Sequence, residues 1–505
     1  MKKIIQLTVF VVLLLPLNLV AQHDTSWVRP LKTELELMAD SLTQNLVPWN
    51  VPKRVFRVER YGAKADGQTL NTQSIQKAID ACSAKGGGVV RFSKGDYVTG
   101  TIRLKSNVMI EIEKGSRILG SIDLVDYPHI VENHKSIMSE YYKFTQSLIY
   151  AENEVNVGIR GGGEIYFRGE RKNFPGAQTI GPIPNRPVGI RMIKCENVVV
   201  SNIRFSYSAG WMQDYVACKD LIFDGIIVEN HGNHNNDGLD PDGCENVIVR
   251  NCYFNTEDDT MCLKGSAMTT SKNILIENST FYSTCNAFKV GTDTQGDFIN
   301  ILVRNCVLGG IPDSLITTRN LRSSSTGITI ATVDGGNVEN MLLQNITINQ
   351  ARCPIYLRLG NRGRVLTKDK KFKWGYKDPN FKPGYLKRIV IENVTGTKNY
   401  VQGSFISGIR GHMVEDVVVK NVDLEVAGGG DAHLITKNVR ENEGGYPDAQ
   451  SISLKGLPSY GFFFRHAKDI VFENIKVTPI KYDARPQIYN GGDAYNIQYN
   501  DIVIP

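Results

Sequence analysis

Glu245-Asn246-Val247-Ile248-Val249-Arg250-Asn251 is one copy of a phrase that returns along much of the chain. Glu196-Asn197-Val198-Val199-Val200-Ser201-Asn202 precedes it. Lys272-Asn273-Ile274-Leu275-Ile276-Glu277-Asn278 and Ile299-Asn300-Ile301-Leu302-Val303-Arg304-Asn305 follow. Later copies run through Asn345, Asn393, Asn421 and Asn474, and Gly225 marks a variant. Most copies stand about 23 to 28 residues apart, and the longer gaps fit two coils or a coil carrying an insertion. Short β-branched runs of period two, separated by turn residues and repeated at this interval, describe an all-β solenoid. Asn at a fixed place in each coil suits a left-handed turn whose side chain bonds neighbouring backbone. The Asn-x-Ser/Thr matches at Asn278, Asn345 and Asn393 fall on that repeat Asn and read as ladder positions before glycosylation sites.

Outward from the repeat, the ends read as caps. Residues 72–84 form an amphipathic helix with Ile75, Ala78, Ile79 and Cys82 on one face, followed by Gly86-Gly87-Gly88 and a strand. Such a helix covers the open end of a coil stack. Residues 22–54 are a polar, partly helical N-terminal extension, and residues 55–505 are expected to be one domain, since no Pro/Gly/Ser linker divides them. Residues 1–21 read as a signal peptide: Lys2-Lys3, an apolar run from Ile4 to Leu15, and Val20-Ala21 before Gln22. The residue after that point is not Cys, so a lipoprotein anchor is not expected, and no later segment is apolar enough to span a bilayer. The expectation is an exported protein, secreted or periplasmic and monomeric, with no membrane partner.

The formal charge of the 505-residue chain is +6, and removing the two lysines of the leader leaves +4. That mild, scattered surplus suits a polyanionic substrate without implying nucleic acid. The nine cysteines show no CxxC spacing, so buried thiols are expected ahead of disulfides.

Three carboxylates fall into the repeat register. Asp237 lies in Asn235-Asn236-Asp237-Gly238, and Asp258-Asp259 follow 21 and 22 residues later. Stacked coils bring such positions within roughly 4.7–4.9 Å of each other. Like charges that close cannot all ionise freely, so at least one proton is expected to be retained. A retained proton beside ionised partners is what acid/base cleavage of a glycosidic bond needs. The same residue types also serve as turn formers that bind their own backbone.

Tyr61-Gly62-Ala63-Lys64-Ala65-Asp66-Gly67, then the helix and triple Gly, resembles the opening of the pectin-lyase-like right-handed parallel β-helix proteins. Asn235-x-Asp237-Gly238, Asp258-Asp259 and Leu263-Lys264-Gly265 are similar to the signature of family 28 glycoside hydrolases, the polygalacturonases and rhamnogalacturonan hydrolases. The resemblance covers about residues 55 to 490. It implies a right-handed, single-stranded parallel β-helix with an N-terminal capping helix, and an inverting hydrolase of galacturonosyl linkages that needs no cofactor. Asp258 would be the general acid, and Asp237 and Asp259 would activate water; an inverting pair needs its carboxyls roughly 6.5–9.5 Å apart. Asn235 and His234 beside the catalytic turn, Lys264 after the Asp pair, and Trp211 as a stacking aromatic would bind substrate.

Two departures qualify that picture. Where polygalacturonases carry Gly-His-Gly, this chain reads Cys285-Asn286-Ala287-Phe288-Lys289, and where they carry Arg-x-Lys it reads Gly327-Ile328-Thr329-Ile330-Ala331. A site for a galacturonate carboxylate on the leaving-group side would lose charge-assisted bonds of roughly 1.5–3 kcal/mol each. The expected leaving group is therefore a neutral sugar such as rhamnose. Asn286 and Lys289, with Arg322, Arg358 and Arg362, are the candidate alternative contacts. His231 and His234 lack a third ligand for zinc, so no metal site is expected. Tyr460 to His466 reads as packing. Insertions near 310–325 and 360–385 are candidate walls of a cleft. The rival readings are a Ca²⁺-dependent lyase on the same helix and a non-catalytic glycan-binding β-helix.

Overall fold

The computed structural model describes residues 24–503 apart from 143–144, 176–184, 313–314, 316–322, 374–375, 377, 437 and 453–455. The leader and Arg322 lie outside the described residues. Every named strand pairing is parallel, as the winding of a right-handed parallel β-helix requires. The repeat phrase stacks in register, so that Val247, Ile248 and Val249 pair with Ile274, Leu275 and Ile276. Val247, Val249, Ile274 and Ile276 point inward, to a core that runs without a break from Val58 to Val477. The repeat asparagines hold positive φ, among them Asn246, Asn273, Asn278, Asn345 and Asn393. Their side chains bond one another rather than backbone: Asn273 Nδ2 donates to Asn246 Oδ1 at 3.0 Å, and Asn345 Nδ2 to Asn305 Oδ1 at 3.0 Å. Each left-handed turn is thus held to the next coil by an amide ladder.

The middle residue of each phrase faces outward. Ile248, Leu275, Leu302, Leu342, Val390, Val418 and Val471 form an external apolar stripe. The N-terminal extension covers it: helix α1 (Val28–Asn45) lays Leu31, Leu35, Ala39 and Leu42 on the stripe. Leu46, Trp49 and Val51 continue over Val89, Met109, Val199 and Ile222. The polar face that obscured the role of this segment in the sequence is its solvent side. Helix α2 (Thr72–Ala84) caps the first coil with the four expected residues, Ile75, Ala78, Ile79 and Cys82, all buried. All nine cysteines are free thiols.

One face of the coil carries the site. Strands Ser147–Glu152, Val188–Ile193, Gln213–Val216 and Asp240–Asp242 stack in order, and Met261–Leu263, Asn286–Val290, Ser324–Thr332 and Ala351–Leu359 continue the stack. Between the two series only the bridges Leu239–Met261 and Asp242–Lys264 remain. Pro241 has no N–H to donate there, and the flanking bonds Cys262 N–Leu239 O (3.0 Å) and Gly243 N–Lys264 O (2.9 Å) keep the register.

The docked extension yields a paired test. Leu35 is fully buried, whereas Leu37 on the same helix is 63% exposed. Leu35→Ala is expected to lower stability to urea by about 2–5 kcal/mol, and Leu37→Ala by no more than about 0.5 kcal/mol. Equal, small effects would show that the helix contributes nothing to the coil.

Candidate active site

The turn 235–238 is built by buried amides. Asn236 donates to Ser208 O at 2.9 Å and accepts from Asn233 N at 3.0 Å, while Asn230 Nδ2 donates to Asp237 O at 2.8 Å. The next coil approaches closely. Gly238 N bonds Asp259 O at 2.9 Å, and a Cβ at residue 238 would stand 2.5 Å from Thr260 O. Glycine here lets the two carboxylate-bearing segments touch. Hydroxyls pin the second segment: Thr256 Oγ1 and Ser283 Oγ both donate to Asp258 O, at 2.8 and 2.6 Å.

Two lysines divide the carboxylates. Lys264 Nζ lies 3.2 Å from Asp237 Oδ2 and 3.2 Å from Asp240 Oδ1. Lys289 Nζ lies 2.9 Å from Asp259 Oδ2, and Asn286 Nδ2 donates to Asp259 Oδ1 at 2.6 Å. All these side chains are buried, while Asp258 is half-buried. Burial, then the neighbouring Asp240 charge, pushes Asp237 well above the usual carboxylate range. Burial pushes Asp240 up to about 7, against the pull of Lys264. One ammonium cannot neutralise two desolvated carboxylates, so this pair keeps a proton. Asp259 goes the other way. Burial opposes its charge, but Lys289, Lys264 and the Asn286 bond outweigh that and hold it below the ordinary value. Lys264 stays charged, its burial outweighed by Asp240, Cys262 and Asp237.

Asp237, Asp258 and Asp259 come together as the register implied, and Lys264, Asn286 and Lys289 join them. The other nominated residues make the following contacts. Trp211, expected as a sugar platform, is buried with Met138, Tyr141 and Val188, and its ring centroid lies 4.1 Å from Lys264 Nζ, so it props the lysine. Arg186 takes Asn235 Oδ1 at 2.9 Å and His234 O at 2.6 Å, so both residues brace the turn. Arg358 Nη2 holds Glu441 O and Asn442 O at 3.0 and 2.9 Å, and its Nη1 has no protein hydrogen-bond partner. Arg362 is engaged with Asp334 and Asp293. His231 lies near Glu257 and Glu229, at 3.5 and 3.8 Å.

Sequence reading missed Asp240 and Tyr446. Asp240 was detectable, because Asp240-Pro241-Asp242 is a strand whose alternate residues share one face. Tyr446 arrives from a distant loop: its ring centroid is 5.6 Å from Lys289 Nζ, and its Oη is 2.9 Å from Thr292 Oγ1. Asp258, Asp259 and Cys285 bring ligand atoms within 4.8 Å of one another. Two carboxylates already flanked by Lys289, with a thiol, make a poor donor set for Ca²⁺, which takes six to eight oxygens.

Fold and site together define a parallel β-helix protein with a lysine-paired aspartate cluster on one face of the coil. The sequence model of glycosyl hydrolases family 28 matches residues 129–445, more than half of the chain, and the chain belongs to that family. Among curated relatives, an exo-poly-alpha-D-galacturonosidase of Dickeya chrysanthemi is 25% identical over 318 residues, 53% of this chain and 52% of that one. A probable polygalacturonase of Vitis vinifera is 26% identical over 327 residues, 60% of this chain and 62% of that one. The chain thus spans about half to two thirds of the length of these relatives. The fold is similar to that of an exopolygalacturonase from Thermotoga maritima, with a TM-score of 0.67 at 18% identity over 88% of this chain and 96% of that one.

The sign of the Asp240 shift makes a pH prediction. A carboxyl near 7 when folded and about 3.9 when unfolded stabilises fully below the lower value, and that contribution is lost as pH rises through the higher one. Asp240→Asn cannot ionise, so its stability relative to wild type is expected to improve steadily from pH 4 to pH 8. Parallel denaturation profiles over that range would place the proton elsewhere. Lys289→Met, by contrast, leaves Asp259 buried without its cation, and an expected loss of about 3–5 kcal/mol would register in urea titrations at pH 7.

Proposed function

We propose that the chain is an exported, inverting glycosidase that cleaves galacturonosyl linkages in pectin-type polysaccharide, with a neutral sugar such as rhamnose on the leaving-group side. The observation that carries the reading is the division of the carboxylates into an ionised one, Asp259 on Lys289 and Asn286, and a proton-holding pair, Asp237 and Asp240 on Lys264. Hydrolysis needs a base that is already ionised and an acid that can deliver a proton. Asp258, the most open of the three, enters the step as the carboxylic acid. It adds no charge beside Asp237 until it gives its proton to the departing glycosidic oxygen and is left as the carboxylate. Asp259 takes a proton from the attacking water, and Asp237 orients that water. The bond from the anomeric carbon to the leaving oxygen breaks as the bond to water forms on the opposite face.

The neutral leaving group rests on the strand Ser324–Thr332. It presents Thr326 and Thr329, both within hydrogen-bond reach of Asn286 Oδ1 at 2.6 and 3.3 Å, and no cation. Lys264, Lys289 and Arg362 are committed to aspartates. One observation favours a second reading. Arg358 is the register partner of Ala331 and keeps Nη1 unbonded, so it has one donor left for a carboxylate.

Proton NMR of digests separates these readings. Rhamnogalacturonan backbone oligosaccharides are expected to release the β-anomer of galacturonate first, and Asp258→Asn to lower the rate by about 10²–10⁴-fold. Equal digestion of polygalacturonate, lost on Arg358→Ala, would favour the Arg358 grip. An unsaturated product would make the chain a lyase, and the absence of any product would favour a binding protein.

A further inference from the structure

Beside the external apolar stripe, the next outward residue of the repeat phrase is charged on most coils, and the charges are matched between coils. Asp224 meets Arg250 at 2.8 Å, Glu277 meets Arg304 at 2.8 Å, and Lys420 meets Glu473 at 2.7 Å. Gln344 and Ser201 interrupt this file. At Gln344 the N-terminal helix α1 fills the break: Glu36 accepts from Gln344 Nε2 at 2.7 Å and pairs with Arg304. The break at Ser201 is left open. Its register neighbour Arg160 pairs with Glu111 at 2.7 Å, and Arg91 takes the same carboxylate at 2.6 Å. Arg91 has a further acid in Glu113 at 3.6 Å, whereas Arg160 has no second one among the described residues. One carboxylate thus serves two guanidinium groups here.

A cavity of about 660 Å³ opens at this break. Its floor is the apolar stripe, formed by Val89, Met109 and Val199. Gly158 holds the stripe position between Met109 and Val199. A Cβ there would stand 2.6 Å from Met109 Cε, so glycine lets the methionine lie along the floor. Trp49 and Lys53 line the cavity from the segment that follows α1, and Arg91 and Arg160 line it from the coil. Trp49 is half-buried, Lys53 is exposed and without an ion pair among the described residues, and the Arg160 side chain is 39% exposed. The lining therefore carries three cations, one aromatic ring and no carboxylate.

We propose that this cavity is a second polysaccharide site, which takes a uronate-containing segment with its carboxylate on Arg160 and Lys53 and a sugar ring against Trp49. Charge complementarity selects the occupant: an acidic sugar supplies the anion that the file lacks at Ser201, and an indole offers the flat apolar face of a stacking contact. The volume lies within the range of small-ligand cavities. The strands beneath it, Gly88–Phe92 to Glu196–Ser201, belong to a different sheet from the stack beside the aspartates. A polymer held here leaves the catalytic residues free and keeps the protein on its substrate. The choice of a uronate polymer rests on the galacturonosyl hydrolase reading, while the surplus of positive charge does not.

Binding of the full-length chain to immobilised polygalacturonate, followed by surface plasmon resonance, tests the site. Every sample carries Asp258→Asn, so that the polymer stays intact. Arg160→Gln and Trp49→Ala are each expected to weaken binding about tenfold, the equivalent of one lost charge-assisted or ring contact. Arg160→Lys keeps the charge and is expected to keep most of the affinity. Lys53→Gln alters only an exposed side chain, and an expected loss of about threefold separates a lost contact from a lost fold. With Asp258 restored, all four substitutions are expected to leave kcat/KM on short oligosaccharides unchanged. Unaltered polymer affinity in both Arg160→Gln and Lys53→Gln would overturn the proposal, as would equal binding of neutral dextran. Inorganic phosphate displacing the polymer as fully as galacturonic acid does at the same concentration would reduce the cavity to a plain anion site and also overturn it. If wild type cleaves no galacturonosyl substrate, the hydrolase reading falls, and the Arg160→Gln comparison still decides this one.

Discussion

The hydrogen-bonded register between successive coils is the constraint on which everything else depends. It sets Val247 over Leu221 and Ile274 over Val247, and so sends alternate residues of every strand to one continuous core. The amide ladder reinforces it at the turns, where a left-handed residue is needed and Asn supplies both that conformation and the bond to the next coil. The same spacing makes Asp237 and Asp258-Asp259 neighbours. A slip of one residue would turn the core side chains to solvent, so the apolar pattern defends the geometry of the site.

That geometry creates an electrostatic problem, and the chain solves it unequally. Three buried aspartates share two lysines. Asp259 receives a whole cation and an amide donor. Asp237 and Asp240 divide one cation between them, which leaves a proton on the pair. Trp211 beneath Lys264 and Tyr446 beside Lys289 place aromatic rings against the cations, where an ammonium is attracted without competing for the carboxylates. The departures from the polygalacturonase pattern acquire a physical sense here. Asn286 and Lys289, where the family has its His motif, bind the Asp259 carboxylate.

The solenoid leaves two outer surfaces apolar or aromatic, and both are covered from within the chain. α1 covers the stripe of Ile248 and its equivalents, and Val439, Ala449, Ile452 and Leu457 cover the ring stack of Tyr356, Phe405 and Phe463. A solenoid face is repetitive by construction, so a single inserted segment can cover many coils at once.

The sequence by itself determined the solenoid, the turn asparagines and the meeting of Asp237 with Asp258 and Asp259, because each is written in residue type at the repeat interval, and the capping helix, which is written in its own apolar face. The register turned a linear spacing into a spatial one, and that is why these features were legible. It could not assign the partners of side chains whose contacts lie off the repeat. Trp211 packs beneath Lys264 and Arg358 holds Glu441 O and Asn442 O, contacts set by burial and by neighbours off the repeat. Asp240 was readable from strand alternation, but its proton depends on Lys264 being shared, which only the packed site decides. Tyr446 reaches Lys289 across 157 residues, the interval between the two positions. Loops inserted between coils obey no period, so where they fold back is settled by tertiary packing alone.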